Sequence, residues 1–290
     1  MLVPGMKRGP VLLIGYGYIG REVGAALLHR GLHVTAWSKS GDFGNGPELA
    51  NPHLSTHSGD IADPISWWGL PSNFATVIHV ASSNRGGADA YRAVFVEGVR
   101  QIAGRLPHAR LCLVSSTSVY AQSGGEVVTE ESPAQPTTET GLLLRAAEDE
   151  ALARFGEKAL VFRSAGIYGP GRGVLFRRFL DGEAVIEGDG LRWMNQIHRD
   201  DLVNALLHGL DTSLHGLFNA ADDQPATHLD FYRWLAERTG KPLPPFGPVN
   251  VERKRGLTDK RVSNARLRAT GWTPAYRSFR EGLDAELKTL

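Results

Sequence analysis

Short apolar runs alternate, through the first two thirds of the chain, with longer stretches in which apolar residues recur every three or four positions. The short runs predict buried strands, and the longer stretches predict amphipathic helices. The strands are expected at 11–14, 33–37, 53–57, 75–80, 110–114 and 159–163, and the helices at 21–28, 88–106 and 142–155. This alternation indicates an α/β protein with a Rossmann-type, doubly wound parallel sheet.

The last third of the chain has a different pattern. Helical periodicity at 201–209, 229–239 and 278–290 is joined by one short strand near 217–219 and by a proline-rich link at 242–248. We therefore predict a Rossmann domain over 1–172 and a small C-terminal lobe mainly over 173–290, some of whose segments return to the sheet. The lobe would bind substrate at the carboxyl edge of the sheet, where α/β proteins bind ligands.

A glycine-rich turn follows the first strand and opens the first helix. Gly15 permits the tight turn, Gly17 leaves room for a pyrophosphate, and Gly20 lets the helix pack closely. The positive end of the helix dipole then faces the phosphates. With Tyr18 and Ile19, these residues form the predicted dinucleotide site, and the alternative is a turn that binds no ligand.

The end of the second strand indicates which nucleotide binds. A carboxylate that holds a free ribose 2′-hydroxyl is expected there, but Ser38 and Lys39 occupy the place. A hydroxyl and an ammonium suit a 2′-phosphate, so we predict NADP, with NAD as the alternative if Lys39 is only a solvated lysine. Asp60, after the third strand, either contacts the adenine amino group or forms a turn.

Composition narrows the classes of function. The net charge of +1 in 290 residues favours neither nucleic acid nor a membrane surface as a partner. The single cysteine, Cys112, excludes an internal disulfide, and no apolar run has the length of a membrane span. We expect a cytoplasmic protein that acts on a small molecule and binds no metal. The basic run Arg253–Arg255, together with Lys260, Arg261, Arg266 and Arg268, is either a solvated face or an anion site.

Several further segments together resemble the extended short-chain dehydrogenase/reductase family, which is the NAD-dependent epimerase/dehydratase superfamily. They are Gly59–Ile61, Val77–Ser82, Val114–Tyr120, Arg163–Arg172, Ile197–Leu202, Arg261–Leu267 and Gly271–Tyr276. The chain looks most similar to uncharacterised bacterial proteins that resemble nucleoside-diphosphate-sugar epimerases. The resemblance implies an NAD(P)-binding oxidoreductase whose substrate is anionic or nucleotide-sugar-like. Since helices 88–106 and 142–155 often pair two subunits in this family, the prediction allows for a homodimer.

The resemblance also assigns roles to single residues. Ser116, four positions before Tyr120, takes the place of the catalytic Ser/Thr whose hydroxyl holds the substrate oxygen. The residues implied along the cofactor are Ile61, Ala81, Ser82 and Gly166. Those assigned to the substrate are Arg172 and Asn195.

The catalytic Tyr and Lys of the family are missing from this sequence. Aligned on Glu148, their places fall to Thr140 and Leu144, and with a shift of one position they fall to Gly141 and Arg145. Arg145 can hold the ribose as a fixed cation, but it is a poor general acid.

Hydride transfer to a carbonyl also needs a proton donor near the new alkoxide. The candidates are Ser116 with a water, Tyr120, Tyr168 and His198. We therefore predict an oxidoreductase or epimerase of atypical mechanism. The alternative is a cofactor-binding regulator or interaction protein that keeps the fold without the chemistry.

Overall fold

A computed structural model describes residues 9–84, 86–250 and 257–288. The basic run predicted at Arg253–Arg255 lies outside these residues. Two compact units make up the chain. The sheet unit comprises the described residues up to 116, with 139–163 and 203–218, and the second unit comprises 117–138, 164–202 and the residues from 219 onward.

A seven-stranded parallel sheet organises the sheet unit, which confirms the predicted Rossmann-type fold. Its strands are β1 (Val11–Ile14), β2 (Val34–Ser38), β3 (Leu54–Ser58), β4 (Thr76–His79), β5 (Arg110–Ser116), β7 (Ala159–Ser164) and β12 (Gly216–Ala220). Their order across the sheet is β12-β7-β5-β4-β1-β2-β3. Strand β1, an interior strand of the sheet, is buried along its whole length. Chain order reverses beside β1, and in such sheets that point is where ligands bind.

Helices cover this sheet with small departures from the predicted bounds. Those of the sheet unit are α1 (Gly20–His29), α2 (Ala88–Tyr91), α3 (Gly98–Arg105) and α4 (Glu139–Phe155), with most of α6 (Arg199–Asp211). A π-helical segment, Arg92–Glu97, joins α2 to α3, so the helix predicted at 88–106 is one run with a wider turn in its middle. The ring of His79 at the end of β4 hydrogen-bonds the Val94 carbonyl in this segment at 2.9 Å.

The second unit contains short strand pairs and helices. Its pairs among the described residues are β6 (Glu126–Val128) with β15 (Lys260–Val262), β8 (Gly166–Tyr168) with β11 (Gln196–His198), β9 (Ile186–Glu187) with β14 (Phe246–Gly247), and β10 (Trp193–Met194) with β13 (Ala226–Thr227). Its helices are α5 (Val174–Leu180), α7 (His228–Thr239), α8 (Ala265–Arg268) and α9 (Phe279–Leu287). An aromatic and aliphatic core holds α5, α7 and α9 together, with Phe231, Phe279 and Leu283 among its buried members.

Candidate functional site

The glycine turn after β1 is packed tightly at two of its glycines and open at the third. Gly15 has a φ of +97°, and a side chain there would collide with the main chain of Ala81. A side chain at Gly20 would collide with the Gly15 carbonyl. By contrast, no heavy atom of the described residues lies within 4 Å of a Cβ built at Gly17. The turn therefore presents bare main chain to open space, as a pyrophosphate requires.

Helix α1 begins at this turn. Its amino terminus has no side-chain cap among the described residues, and the Arg21 N–H donates to the Gly17 carbonyl at 2.9 Å. The Arg21 guanidinium pairs with Asp42 at 3.3 Å, and Asp42 also accepts from the Gly44 N–H at 2.7 Å. The uncapped terminus carries the positive end of the helix dipole, so the turn suits an anionic group.

The predicted nucleotide-selecting residues lie together where β2 and β3 end. Lys39 Nζ donates to Asp60 Oδ2 at 2.6 Å, and the other oxygen of Asp60 accepts from the Ala62 N–H at 3.0 Å. Partial burial works to raise the pKa of Asp60, but the hydrogen bonds from Lys39 and Ala62 outweigh it, so this pKa lies below its usual value. Ser38 is buried, and its Oγ lies 3.3 Å from that of Ser40.

Two tryptophans hold the loop that carries Asp60. The Trp37 indole donates to the Gly59 carbonyl at 2.6 Å, and the Trp67 indole donates to the Ile61 carbonyl at 2.9 Å. The two rings meet edge to face at 4.6 Å, and both are buried. Sequence reasoning missed these supports because Trp67 stands in a segment with no strand or helix periodicity.

The two serines that end β5 have different surroundings. Ser115 is buried and donates to Glu148 Oε1 at 2.6 Å. Ser116, the predicted catalytic hydroxyl, is only partly buried. Alternation along the strand therefore gives Ser115 a structural contact and leaves Ser116 as the more accessible hydroxyl.

A buried ion pair, which the sequence analysis did not predict, lies beside Ser115. Glu148 on α4 is fully buried and accepts from Arg163 on β7, with Nη2 at 2.7 Å and Nε at 3.1 Å from its oxygens. Two features of the sequence could have indicated this pair. Arg163 is a charged residue near the end of the apolar run of β7, and Glu148 is an acidic residue on the buried side of α4. This pair fixes α4 against the sheet.

Arg145, the predicted ribose contact, lies one turn before Glu148 on α4. It pairs with Asp149 at 2.5 Å, and its Nη1 lies 3.7 Å from Glu148. Thr140, Gly141 and Leu144, the other residues at the places of the missing Tyr and Lys, are buried. Of the four residues that the two alignments place at the Tyr and Lys positions, Arg145 is therefore the one whose side chain is polar and partly exposed.

The remaining proton-donor candidates belong to the second unit and are buried. Tyr120 is 0% exposed and donates to Asn219 Oδ1 at 2.9 Å. Tyr168 donates to the Ser278 carbonyl at 3.2 Å, and burial, followed by repulsion from nearby carboxylates, raises its pKa far above the usual value.

His198 is held between two tyrosine rings. The centroid of Tyr168 lies 5.3 Å from its ring and that of Tyr276 lies 4.0 Å away. Its Nδ1 accepts from the Asp200 N–H at 3.2 Å, and burial lowers its pKa despite the nearby Asp200 carboxylate. Packed between these two rings and neutral, the imidazole of His198 is better suited to stabilising the fold than to donating a proton.

The predicted substrate residues are also in the second unit. Asn195 Nδ2 donates to the Lys260 carbonyl at 2.9 Å, and Asn195 Oδ1 accepts from the Val262 N–H at 2.6 Å, so both ends of its amide are bonded to β15. The Gly166 N–H donates to the Asn195 carbonyl at 3.0 Å. Arg172 closes a tight loop through reciprocal main-chain hydrogen bonds with Gly169, and its side chain is exposed.

The described parts of the chain contain no group of three or more His, Cys, Asp or Glu side chains placed to hold a metal ion. Over the same residues, no helix combines the length and apolar character that crossing a membrane requires.

The chain is similar to a family profile, to curated proteins and to solved structures. Residues 11–221 match the profile of the NAD dependent epimerase/dehydratase family. Protein YeeZ of Escherichia coli K12 is 27% identical over 252 residues, which cover 81% of this chain and 86% of YeeZ. A 3-diazoavenalumate denitrifying reductase of Streptomyces is 30% identical over 213 residues, which cover 67% of this chain and 69% of the reductase. A solved structure from Methylobacillus flagellatus, provisionally named an NAD-dependent epimerase/dehydratase, is 26% identical, with a TM-score of 0.78 and coverage of 98% and 99% of the two chains.

Proposed function

The chain belongs to the NAD-dependent epimerase/dehydratase family, and on this premise we propose that it is an NADP-linked oxidoreductase or epimerase-like enzyme. Its substrate is a small anionic or nucleotide-sugar-like molecule. The observation that carries the proposal is the glycine turn, where Gly17 faces open space while Gly15 and Gly20 are packed against neighbouring main chain. A side chain at Gly17 would project into this space, so a glycine there keeps the main chain of the turn accessible to a pyrophosphate.

The proposed contacts with the pyrophosphate, the 2′-phosphate and the adenine all lie where the first three strands of the sheet end. The turn and the α1 amino terminus bind the pyrophosphate. Ser38 and Lys39 bind the ribose 2′-phosphate, and Asp60 and Ile61 line the adenine. Lys39 is 72% exposed on its side chain, and its pair with Asp60 is an exposed one worth roughly 0–1 kcal/mol. A phosphate therefore displaces this contact at little cost.

The bound nicotinamide supplies a hydride acceptor or donor, and the chain must hold the substrate oxygen and supply a proton. Ser116 holds that oxygen, because it is the more accessible of the two serines that end β5. Arg145 contributes a fixed positive charge beside the ribose. The proton comes through Ser116 and a water, since Tyr120 and Tyr168 are buried. The reductase named among the relatives supports hydride chemistry.

A second candidate function is a regulator or interaction protein that binds the cofactor without turnover. Buried Thr140, Gly141 and Leu144 at the places of the family's Tyr and Lys favour it. The division of roles between 1–172 and 173–290, the homodimer and the cytoplasmic location stay predictions under either function.

A parallel fluorescence titration with NADPH and NADH tests the cofactor proposal. We expect tighter binding of NADPH. Lys39→Ala should weaken NADPH binding about tenfold, because a charge-assisted hydrogen bond to the 2′-phosphate is lost. The same variant should leave NADH binding unchanged, and Lys288→Ala, an exposed lysine on α9's carboxyl end, is the matched control.

The outcomes separate the alternatives. Preference for NADH, or an equal loss of both ligands in Lys39→Ala, contradicts the NADP assignment. If neither dinucleotide binds, the assignment of the glycine turn as a dinucleotide-binding site is wrong. If NADPH binds tightly but a broad panel of carbonyl substrates shows no turnover, the regulator is the better description.

A further inference from the structure

The second unit contains a cavity of about 150 Å³ whose lining includes Gly166 and Tyr168 together with eight residues that carry none of the predicted roles. The start of α5 forms one wall, β8 and Gln196 on β11 form another, and one residue each from α7 and α9 closes it. Its apolar side chains are Ile167, Val174, Leu175, Phe176, Phe231 and Leu283. Every lining residue belongs to the second unit, so this unit alone defines the cavity.

The inner wall of the cavity is rigid. Phe231 is 1% exposed, and its ring packs against those of Phe279 and Tyr232 at centroid distances of 5.0 and 5.2 Å. Leu283 is buried in the same core. Tyr168 is fixed by its hydrogen bond to the Ser278 carbonyl. These contacts fix the inner wall, so this part of the cavity is preformed.

Few polar groups are available inside it. The Tyr168 hydroxyl and the Gly166 N–H are already bonded, to the Ser278 and Asn195 carbonyls respectively. Gln196 differs, because its side-chain amide makes no hydrogen bond to any other described residue. One amide, with one donor group and one acceptor, is therefore the polar partner that the cavity offers.

We propose that this cavity binds an uncharged aromatic ring carrying a single hydrogen-bonding substituent, which contacts the Gln196 amide. An apolar cavity of about 150 Å³ has room for a benzene ring. A sugar ring of similar size carries a hydroxyl on almost every carbon, and most of these would face Ile167, Leu175 or Phe231 without a partner.

This inference rests on the proposed function and narrows its substrate. Its lining includes Gly166, which the resemblance assigns to the cofactor, and Gly173, the neighbour of Arg172, which the resemblance assigns to the substrate. Within the proposed anionic class of substrates, the cavity selects a compound whose uncharged aromatic ring enters it and whose anionic group stays outside it, at Arg172.

Fluorine NMR on the full-length protein tests the assignment with three probes. These are 4-fluorotoluene, 4-fluorobenzyl alcohol and 2-deoxy-2-fluoroglucose. We expect both aromatic probes to bind and the sugar not to bind. Gln196→Leu should weaken the alcohol about fivefold and leave 4-fluorotoluene unchanged, because only the alcohol uses the amide.

Val174→Trp should weaken both aromatic probes by filling the mouth of the cavity, since Val174 is 67% exposed and tolerates a larger side chain. Leu243→Trp, an exposed position that does not line the cavity, is the matched control. Binding of the sugar, absence of aromatic binding, or equal loss of both aromatic probes in Gln196→Leu overturns the inference. NADPH titration of the same samples shows separately whether the cofactor proposal stands, because that titration reads the glycine turn.

Discussion

The two units bury charge in different ways. In the sheet unit, Glu148 and Arg163 are both buried and neutralise each other through a bidentate pair, with Ser115 as a third partner. In the second unit, Lys260 is 4% exposed, and its Nζ donates to the Thr258 hydroxyl at 2.8 Å. No carboxylate of the described residues lies within ion-pair distance of it. Burial and the nearby Arg192 lower the pKa of Lys260 to about 8, although the carboxylates of Asp259 and Glu126 act in the opposite direction. Glu148 and Arg163 thus compensate each other by direct contact, whereas Lys260 is buried without a carboxylate of the described residues in contact.

Breaking the compensated pair should have the largest effect. Glu148→Ala leaves the Arg163 guanidinium buried without its carboxylate, so we expect a loss of about 3–5 kcal/mol in the free energy of unfolding. Urea denaturation measures it. Glu150→Ala, two positions along α4 at a partly exposed ion pair, should change stability by less than about 1 kcal/mol. Replacing both partners, Glu148→Met with Arg163→Met, should recover most of the loss. An equal loss in the double variant would show that packing, not charge, dominates.

Removing the buried charge of Lys260 should change the free energy of unfolding in the opposite direction and stabilise the protein. Between pH 8 and 10.5 the unfolded chain keeps the Lys260 proton more readily than the native protein does, so this group makes stability rise with pH over that window. Lys260→Met should therefore stabilise the protein by about 2–3 kcal/mol at pH 7.

That advantage should shrink to near zero by pH 10.5. Unfolding curves of the variant and the original protein from pH 7 to 10.5 give the difference directly. Lys288→Met, at an exposed lysine, is the control. A difference that does not change with pH would contradict the lowered pKa.

The smallest of the three effects concerns a neutral group. Asn195→Ala leaves the Val262 N–H and the Lys260 carbonyl without their partner, so we expect a loss of about 1–2 kcal/mol in unfolding free energy. Gln196→Ala, at the next position, removes an amide with no such contacts and should change stability by only a few tenths of a kcal/mol. If Asn195→Ala is equally harmless, the amide is available to substrate after all.

The two units also differ in how well the sequence predicts their strands. The strands of the sheet were predicted to within about two residues, because buried parallel strands are continuous apolar runs. The strand pairs of the second unit were not, since two or three residues carry no measurable period. The π-helical segment was missed because its apolar spacing is close to that of an α-helix.

The candidate site was predictable to a similar degree. Gly15, Gly17 and Gly20 could be placed because the turn is local in sequence. The Lys39 contact with Asp60 could not, because it joins the ends of two neighbouring strands. The bonding of Asn195 to β15 was equally hidden, since its partners lie some 65 residues further along the chain.

The position of β12 has a consequence for synthesis of the protein on the ribosome. β7 (Ala159–Ser164) is buried throughout, yet its outer neighbour in the sheet, β12, begins only at Gly216. At about 5–20 residues per second, the emerging chain exposes an apolar, unpaired strand edge for several seconds before its partner exists. A chaperone that shields nascent strands should therefore raise the yield of this protein, and translational pausing just after residue 164 should lower it.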